Sequence, residues 1–260
     1  MILPSILTET RAAVNLAAAY IKREIVKVTT ADIEEKDLNS LVSFVDRGSE
    51  RILVKELSKI LPEAGFLTEE DTVEDALKPY VWIIDPLDGT TNSLLGIPHF
   101  AVSVALAHEG ELLIGVVHEV NSEEQFYASK SGGAFLNGRP IQVSQRTEYR
   151  DILIATGFPY RNEYYTNKLF AHLKEWLMNT RGVRRMGSAA LDLAYVACGR
   201  FGAYYESMLN PWDVAAGILI VREAGGKVSD YNGDEKGYSG KETMAAAPQF
   251  YDIVKKVLNR

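Results

Sequence analysis

Residues 82–91 read Trp82-Ile83-Ile84-Asp85-Pro86-Leu87-Asp88-Gly89-Thr90-Thr91, an apolar run that ends in two carboxylates, a glycine and two hydroxyls. The pattern predicts a buried strand entering a tight turn. Pro86 fixes one backbone torsion, Gly89 permits a close turn, and Thr90 and Thr91 are suited to open a helix. Backbone amides at such a helix start suit a phosphate group. Two carboxylates at a strand end repel in a poor dielectric and each loses hydration, so the segment asks for a metal cation. Turn chemistry alone gives a plainer account: a strand, an Asp/Gly turn and a capped helix. Phosphatases that form an aspartyl-phosphate carry Asp-x-Asp-Gly-Thr near the N-terminus, with the first Asp as nucleophile. Here two residues separate the carboxylates and the motif lies mid-chain, so Asp85 reads as a ligand rather than a nucleophile.

Outward from this motif, residues 6–28 and 47–60 read as helices, the second with Leu53, Leu57, Ile60 and Leu61 in a buried stripe. After the motif, 101–107, 112–120 and 125–128 are β-rich runs separated by turn signals, which predicts an antiparallel meander. From about residue 150 strands (152–156, 183–186, 203–206) alternate with helices (163–179, from Ser188, 211–224), and 250–258 reads as a terminal helix. The expectation is an α/β (α+β) fold with an N-terminal α+β half over 1–148 and an α/β half over 149–260, closely packed.

A chain of 260 residues buries a full core, and a formal charge of −7 disfavours a broad grip on nucleic acid or on an anionic membrane. No run of sequence is long enough to span a bilayer, and the N-terminus lacks a signal-peptide pattern. Cys198 has no partner for an internal disulfide, which fits a reducing cytoplasm. His99, His108, His118 and His172 are scattered, without the spacing of a zinc site. Arg181, Arg184 and Arg185 form a compact basic cluster, read as a solvated face.

Other carboxylates each have a structural reading. Glu69, Glu70 and Asp71 read as a solvated acidic loop. Asp213 follows Asn210-Pro211-Trp212, where a carboxylate favours the helix dipole. Ser43 and Asp46 have capping-box spacing. Their joint occurrence is what carries meaning. Leu41-Val42 with Asp46 and Glu50, the Glu69-Glu70 pair, the Asp85–Thr91 motif and Gly187-Ser188-Ala189-Ala190 recur in one pattern. So do Tyr204-Tyr205-Glu206 ahead of Asp213, the run Trp212–Gly217, and Glu223-Ala224-Gly225-Gly226. Together they resemble the inositol monophosphatase family of magnesium-dependent phosphatases, within a superfamily that includes fructose-1,6-bisphosphatase. Thr156-Gly157-Phe158-Pro159 and Asn210-Pro211-Trp212 resemble its bacterial branch.

The resemblance implies a layered α-β-α-β-α sandwich, a homodimer and lithium sensitivity. It makes Glu69, Asp85, Asp88, Asp213 and the carbonyl of Leu87 metal ligands, an oxygen-only set that suits Mg²⁺ or Mn²⁺, about two or three per site. Asp46, Glu69 and Thr90 become the catalytic group, Asp46 and Thr90 orienting an attacking water. Gly89, Thr90 and Thr91 cradle the phosphate, while Gly187, Ser188, Ala189, Glu206 and Asp213 contact substrate. The implied activity is hydrolysis of a small polyol phosphate, with myo-inositol 1-phosphate leading. The rivals are a 3′(2′),5′-bisphosphate nucleotidase, a sugar bisphosphatase, and a cytoplasmic partner-binding protein whose phosphatase activity is incidental.

Overall fold

The computed structural model describes residues 3–37, 40–70, 78–160, 162–235 and 238–260; Asp71 lies outside them. Two helices come first, α1 (Leu3–Glu24) and α2 (Phe44–Ile60), separated by two single 3₁₀ turns and a hairpin of β1 (Glu34–Asp37) and β2 (Ser40–Val42). Helix α1 ends four residues earlier than expected, at Lys22-Arg23 and ahead of the β-branched Ile25-Val26, where cations complement the helix C-terminus. Helix α2 begins three residues earlier than expected. Ser43 accepts from the Val45 amide (3.1 Å) and its own amide donates to Asp46 (2.8 Å), so the capping box closes at Ser43 and the helix starts at Phe44.

Strand β3 (Gly65–Thr68), which sequence periodicity did not reveal, pairs in parallel with the motif strand β4 (Tyr80–Asp88). The short helix α3 (Thr90–Leu94) follows. The meander then runs through β5 (Ala101–His108), β6 (Glu111–Glu119), β7 (Glu124–Ser129), β8 (Gly133–Leu136) and β9 (Arg139–Pro140), all antiparallel. The result is a seven-stranded sheet in the order β3 to β9. The second sheet has five strands in the order β11-β10-β12-β14-β13. They are β10 (Leu153–Thr156), β11 (Gly182–Arg184), β12 (Ala203–Ser207), β13 (Lys227–Ser229) and β14 (Glu242–Ala246). Helices α4 (Glu163–Asn179), α5 (Ala189–Ala197), α6 (Pro211–Glu223) and α7 (Pro248–Leu258) complete the chain.

These elements stack in five layers. Helices α1 and α2 cover one face of the large sheet, α5 and α6 fill the space between the sheets, and α4 and α7 cover the far face of the small one. One apolar cluster, from Ile83 and Val117 through Ala194 and Ile220 to Val254, runs across the inner layers. A second joins α1 and α2 to the outer face of the large sheet. Leu53 and Leu57 on α2 are fully buried there, each worth roughly 1.5–3 kcal/mol. No helix among the described residues is long and apolar enough to cross a membrane.

A candidate active site where strands end and helices begin

The parallel register of β3 and β4 sets Thr68 beside Ile84, so the next residues, Glu69 just past the end of β3 and Asp85 still within β4, come side by side. The Glu69 amide donates to the Ile84 carbonyl at 3.2 Å. On the other edge, Asp85 pairs with Ser103 but Asp88 with Ala101, so β4 carries one extra residue. Pro86, with no amide to offer a ladder, sits in that bulge. The Leu87 amide donates to Asp85 Oδ1 (2.9 Å), which tightens the turn. Gly89 then adopts φ +95°, and a Cβ there would lie 3.1 Å from the His99 carbonyl, so both conformation and space call for glycine.

Asp85 is 2 % exposed. Burial raises its carboxyl pKa well above the usual range, and the charges of Glu69, Asp88 and Asp213 raise it further. Asp213 stands at the start of α6, where its Oδ2 accepts from the Asn210 amide (2.7 Å). Burial, then the Asp88 charge, pushes it well up, with Glu69 and Glu206 adding to the shift. Residues far apart in sequence are thus held close enough to repel.

Helix α2 braces this region from below. Asp46 is buried, accepting from the Ser43 amide and hydroxyl on Oδ2 (2.8 Å each) and from Thr90 Oγ1 on Oδ1 (3.0 Å). Burial raises its pKa, and the Ser43 and Thr90 hydrogen bonds oppose the rise. Thr90 Oγ1 also lies 2.9 Å from the Leu87 carbonyl, so one hydroxyl hydrogen faces two acceptors. Ser49 donates to the Pro86 carbonyl (2.9 Å). Thr91, the second residue of α3, is exposed, and the first-turn amides after Gly89 have no intrahelical acceptor.

The 187–189 loop closes the site from the opposite side. Ser188 caps α5 and donates to Asp88 Oδ2 (2.6 Å), which also accepts from the Ala190 amide (2.7 Å). Burial nevertheless raises Asp88 to about 6, against the pull of these donors and of Arg185. The Ser188 hydroxyl is therefore committed to Asp88. Asn92, which sequence reasoning missed, donates to the carbonyls of His99 (2.8 Å) and Met186 (2.9 Å) and ties this loop to α3.

Glu206 lies on β12 and accepts from the fully buried Tyr204 hydroxyl at 2.8 Å. Its carboxylate rests on Gly157, where an added Cβ would lie 1.7 Å from Oε1. Burial pushes Glu206 up to about 7, opposed by the Tyr204 bond and by Arg185. Arg181, Arg184 and Arg185 are all exposed, as expected, but Arg185 is not merely solvated. Its guanidinium donates to Tyr160 Oη (3.1 Å) and its charge reaches Asp88, Glu206 and Asp192. Asp192 carried no sequence signal. It is 1 % exposed with Oδ1 unpartnered, and burial raises it well above the usual range, helped by Glu206 and Asp88.

Among the described residues, no three Asp, Glu, His or Cys side chains close around one point as a ready-made metal cluster. Asp88 and Asp213 each point an oxygen at a protein donor instead, the arrangement expected of carboxylates that repel. The donor set still fits a hard divalent cation. Buried like charges are stabilised by one, and every candidate donor is oxygen.

The chain matches the model of the inositol monophosphatase family over residues 5–258. It is 40% identical to an inositol-1-monophosphatase of Rhizobium meliloti over 249 residues, covering 95% of this chain and 94% of the relative. It is 43% identical to the Nus factor SuhB of Pseudomonas aeruginosa, covering 87% of each. Among solved structures, the extragenic suppressor protein suhB of Bartonella henselae superposes with a TM-score of 0.93 at 37% identity, over 98% of this chain and 99% of that one. The inositol monophosphatase of Anabaena gives 0.88 at 33% identity, over 100% and 97%. With its layered sandwich, its strand-end carboxylates and these relatives, the chain belongs to the inositol monophosphatase family.

Proposed function

We propose that this protein is a Mg²⁺-dependent phosphomonoesterase acting on a small polyol phosphate, with myo-inositol 1-phosphate its leading substrate. One observation carries the reading: Asp85 is buried among the charges of Glu69, Asp88 and Asp213, at a turn that runs into Thr90 and α3. Glu69, Asp85, Asp88, Asp213 and the Leu87 carbonyl would hold Mg²⁺ or Mn²⁺, two or three ions by family resemblance. When bound, such cations stabilise negative charge on the phosphoryl and leaving-group oxygens and lower the pKa of water.

The protein's own groups do the rest. Gly89, Thr90 and Thr91 offer first-turn amides to the phosphate. Asp46 and Thr90, joined at 3.0 Å, orient the attacking water, with Asp46 or Glu69 accepting its proton. Glu206 and the backbone of 187–189 face the alcohol. The resemblance adds a homodimer, a cytoplasmic location and uncompetitive inhibition by Li⁺. Initial rates at several Li⁺ levels are expected to show inhibition that deepens as substrate rises; competitive behaviour would count against the shared mechanism.

Glu206 tests the substrate class, because one of its oxygens is held by Tyr204 and the carboxylate lies against Gly157 rather than in the capping networks of Asp46 and Asp213. Changing Glu206→Ala removes an acceptor for ring hydroxyls. A charged hydrogen bond is worth roughly 1.5–3 kcal/mol, so kcat/KM on inositol 1-phosphate is expected to fall about tenfold or more. p-Nitrophenyl phosphate, which has no such hydroxyls, should be cleaved nearly as before. Equal losses on both would assign Glu206 to supporting the fold. A wild-type preference for adenosine 3′,5′-bisphosphate or for fructose 1,6-bisphosphate would replace the inositol reading and leave the metal chemistry intact.

Relatives named Nus factor motivate a second reading, in which the protein also serves as a Nus factor. Phe170, Leu177 and Met178 stand exposed on α4, which leads into the exposed Arg181 and Arg184. A pull-down with a catalytically silent variant separates the readings, since binding retained without turnover would assign partner contact its own surface.

A further inference from the structure

The buried face of α2 is formed by Val45, Asp46, Ser49, Glu50, Leu53 and Leu57. Its lower turns are apolar, as a core helix requires, but the turn beneath the site is polar. Asp46 answers to Thr90 and Ser49 to the Pro86 carbonyl. Glu50 is the third of these, and it is 0 % exposed where a leucine would simply continue the stripe. Burying a carboxylate is costly unless donors meet it.

Glu50 Oε2 accepts from the Glu70 amide at 2.9 Å. That donor has a special place in the chain. The Glu69 amide makes a bond to β4, through the Ile84 carbonyl, beyond the last paired residues Thr68 and Ile84. One residue later the chain has left the sheet, and its amide turns to α2 instead. The direction in which Glu69 leaves β3 is thus fixed on one side by the sheet and on the other by Glu50. We infer that Glu50 is a positioning residue for the acidic turn, holding the Glu69 carboxylate beside Asp85. The inference rests on the reading of Glu69 as a metal donor. On this reading Glu50 acts through the Glu70 amide and is not itself counted among the metal donors.

Two variants separate positioning from simple packing. Glu50→Met fills a similar volume with no acceptor for the amide, and Glu50→Gln keeps a carbonyl oxygen there. Mg²⁺ binding is read by calorimetry at a temperature where circular dichroism shows each protein folded. Loss of an outer partner of a metal ligand costs about 10–100-fold in affinity, so Glu50→Met is expected to weaken Mg²⁺ binding at least tenfold. Glu50→Gln should stay within about threefold of wild type, because its oxygen still accepts the bond. If Glu50→Met does not fold, Glu50→Leu serves the same purpose. Wild-type affinity in Glu50→Met, or equal losses in both variants, would overturn the proposal, the second because charge alone would then explain the effect.

Amide exchange of Glu70, measured by NMR in chelator, gives a readout independent of the metal. Protection is expected in wild type and Glu50→Gln, with exchange at least tenfold faster in Glu50→Met. If wild type binds no Mg²⁺, the metal reading fails; the Glu70 exchange comparison still decides whether Glu50 holds the turn, and unchanged exchange in Glu50→Met overturns it.

Discussion

Excess chelator is expected to abolish phosphomonoester hydrolysis by this protein, and added Mg²⁺ to restore it together with thermal stability. The cause is the buried Asp85 among the charges of Glu69, Asp88 and Asp213. A ligand at a hundred times its Kd stabilises the folded state by about 2.7 kcal/mol. For a chain of this size each kcal/mol moves Tm by about 2–4 °C, so a rise of several degrees is expected.

The same groups set a pH signature in the metal-free protein. A carboxyl group whose folded pKa lies above its unfolded value holds more protons when folded than when unfolded. Its stabilising effect is therefore present at low pH and lost as pH rises from about 4 through the folded value. Asp88 is raised to about 6, and Asp85 and Asp213 are raised well above the usual range. In chelator, these groups should thus lower Tm between about pH 5 and 7, whereas bound Mg²⁺ should flatten or reverse that slope. Carboxylates held low by ion pairs, such as Glu34 beside Arg47, act in the opposite sense, but only below about pH 4.5. Full turnover in excess chelator would end the metal reading. Burial lowers the pKa of His99 and His118 and takes that of His172 down to about 4, so these groups act in the opposite sense to the buried carboxylates up to about pH 6.5. The carboxylate effect is therefore read as the difference in Tm slope between wild type and Asp85→Asn in chelator, and equal slopes would show that Asp85 is not coupled as the structure places it.

Asp213→Asn is expected to remove most activity while leaving a folded protein. In the structure Asp213 does two things at once, closing the capping box of α6 through the Asn210 amide and standing among the charges of Asp88 and Glu69. Loss of a charge at a helix N-terminus costs about 0.3–1 kcal/mol. Asparagine retains an oxygen for the Asn210 amide, and removing one of several repelling carboxylates offsets part of that cost. Metal-assisted charge stabilisation is worth several kcal/mol, so loss of a metal ligand should lower kcat/KM about a hundredfold or more. Thermal melting in chelator and kinetics across a Mg²⁺ series check both halves. An active Asp213→Asn enzyme with a slightly lower Tm would leave Asp213 a capping residue alone.

Features with local causes were legible in the sequence. The strand and helix of residues 82–94 follow from an apolar run, a proline, a glycine and two threonines that act on their immediate neighbours, whereas the bulge that carries β4 on to Asp88 emerged only from its pairing with β5. The capping-box spacing of Ser43 and Asp46 was legible, although the helix it opens was expected only from residue 47, and at Asp213 the helix start was read from Pro211 and the helix dipole rather than from a capping box with Asn210. Several short elements were not legible. β3 and β1 have four residues each and β2 three, so they depend on pairing rather than on periodicity.

Only the tertiary structure decided which carboxylates meet. The parallel register of β3 and β4 brings Glu69 beside Asp85, and no spacing in the chain encodes a register between strands. Thr90 reaches Asp46 across 44 residues, and Ser188 reaches Asp88 across 100. Arg185 is exposed like Arg181 and Arg184, yet the fold sets its charge near Asp88 and Glu206, and packing alone removes Asp192 and Glu50 from water. Residue type and near neighbours fix what a group can do chemically. Its protonation and its partners depend on burial and on the field of distant segments, and those exist only once the layers have packed.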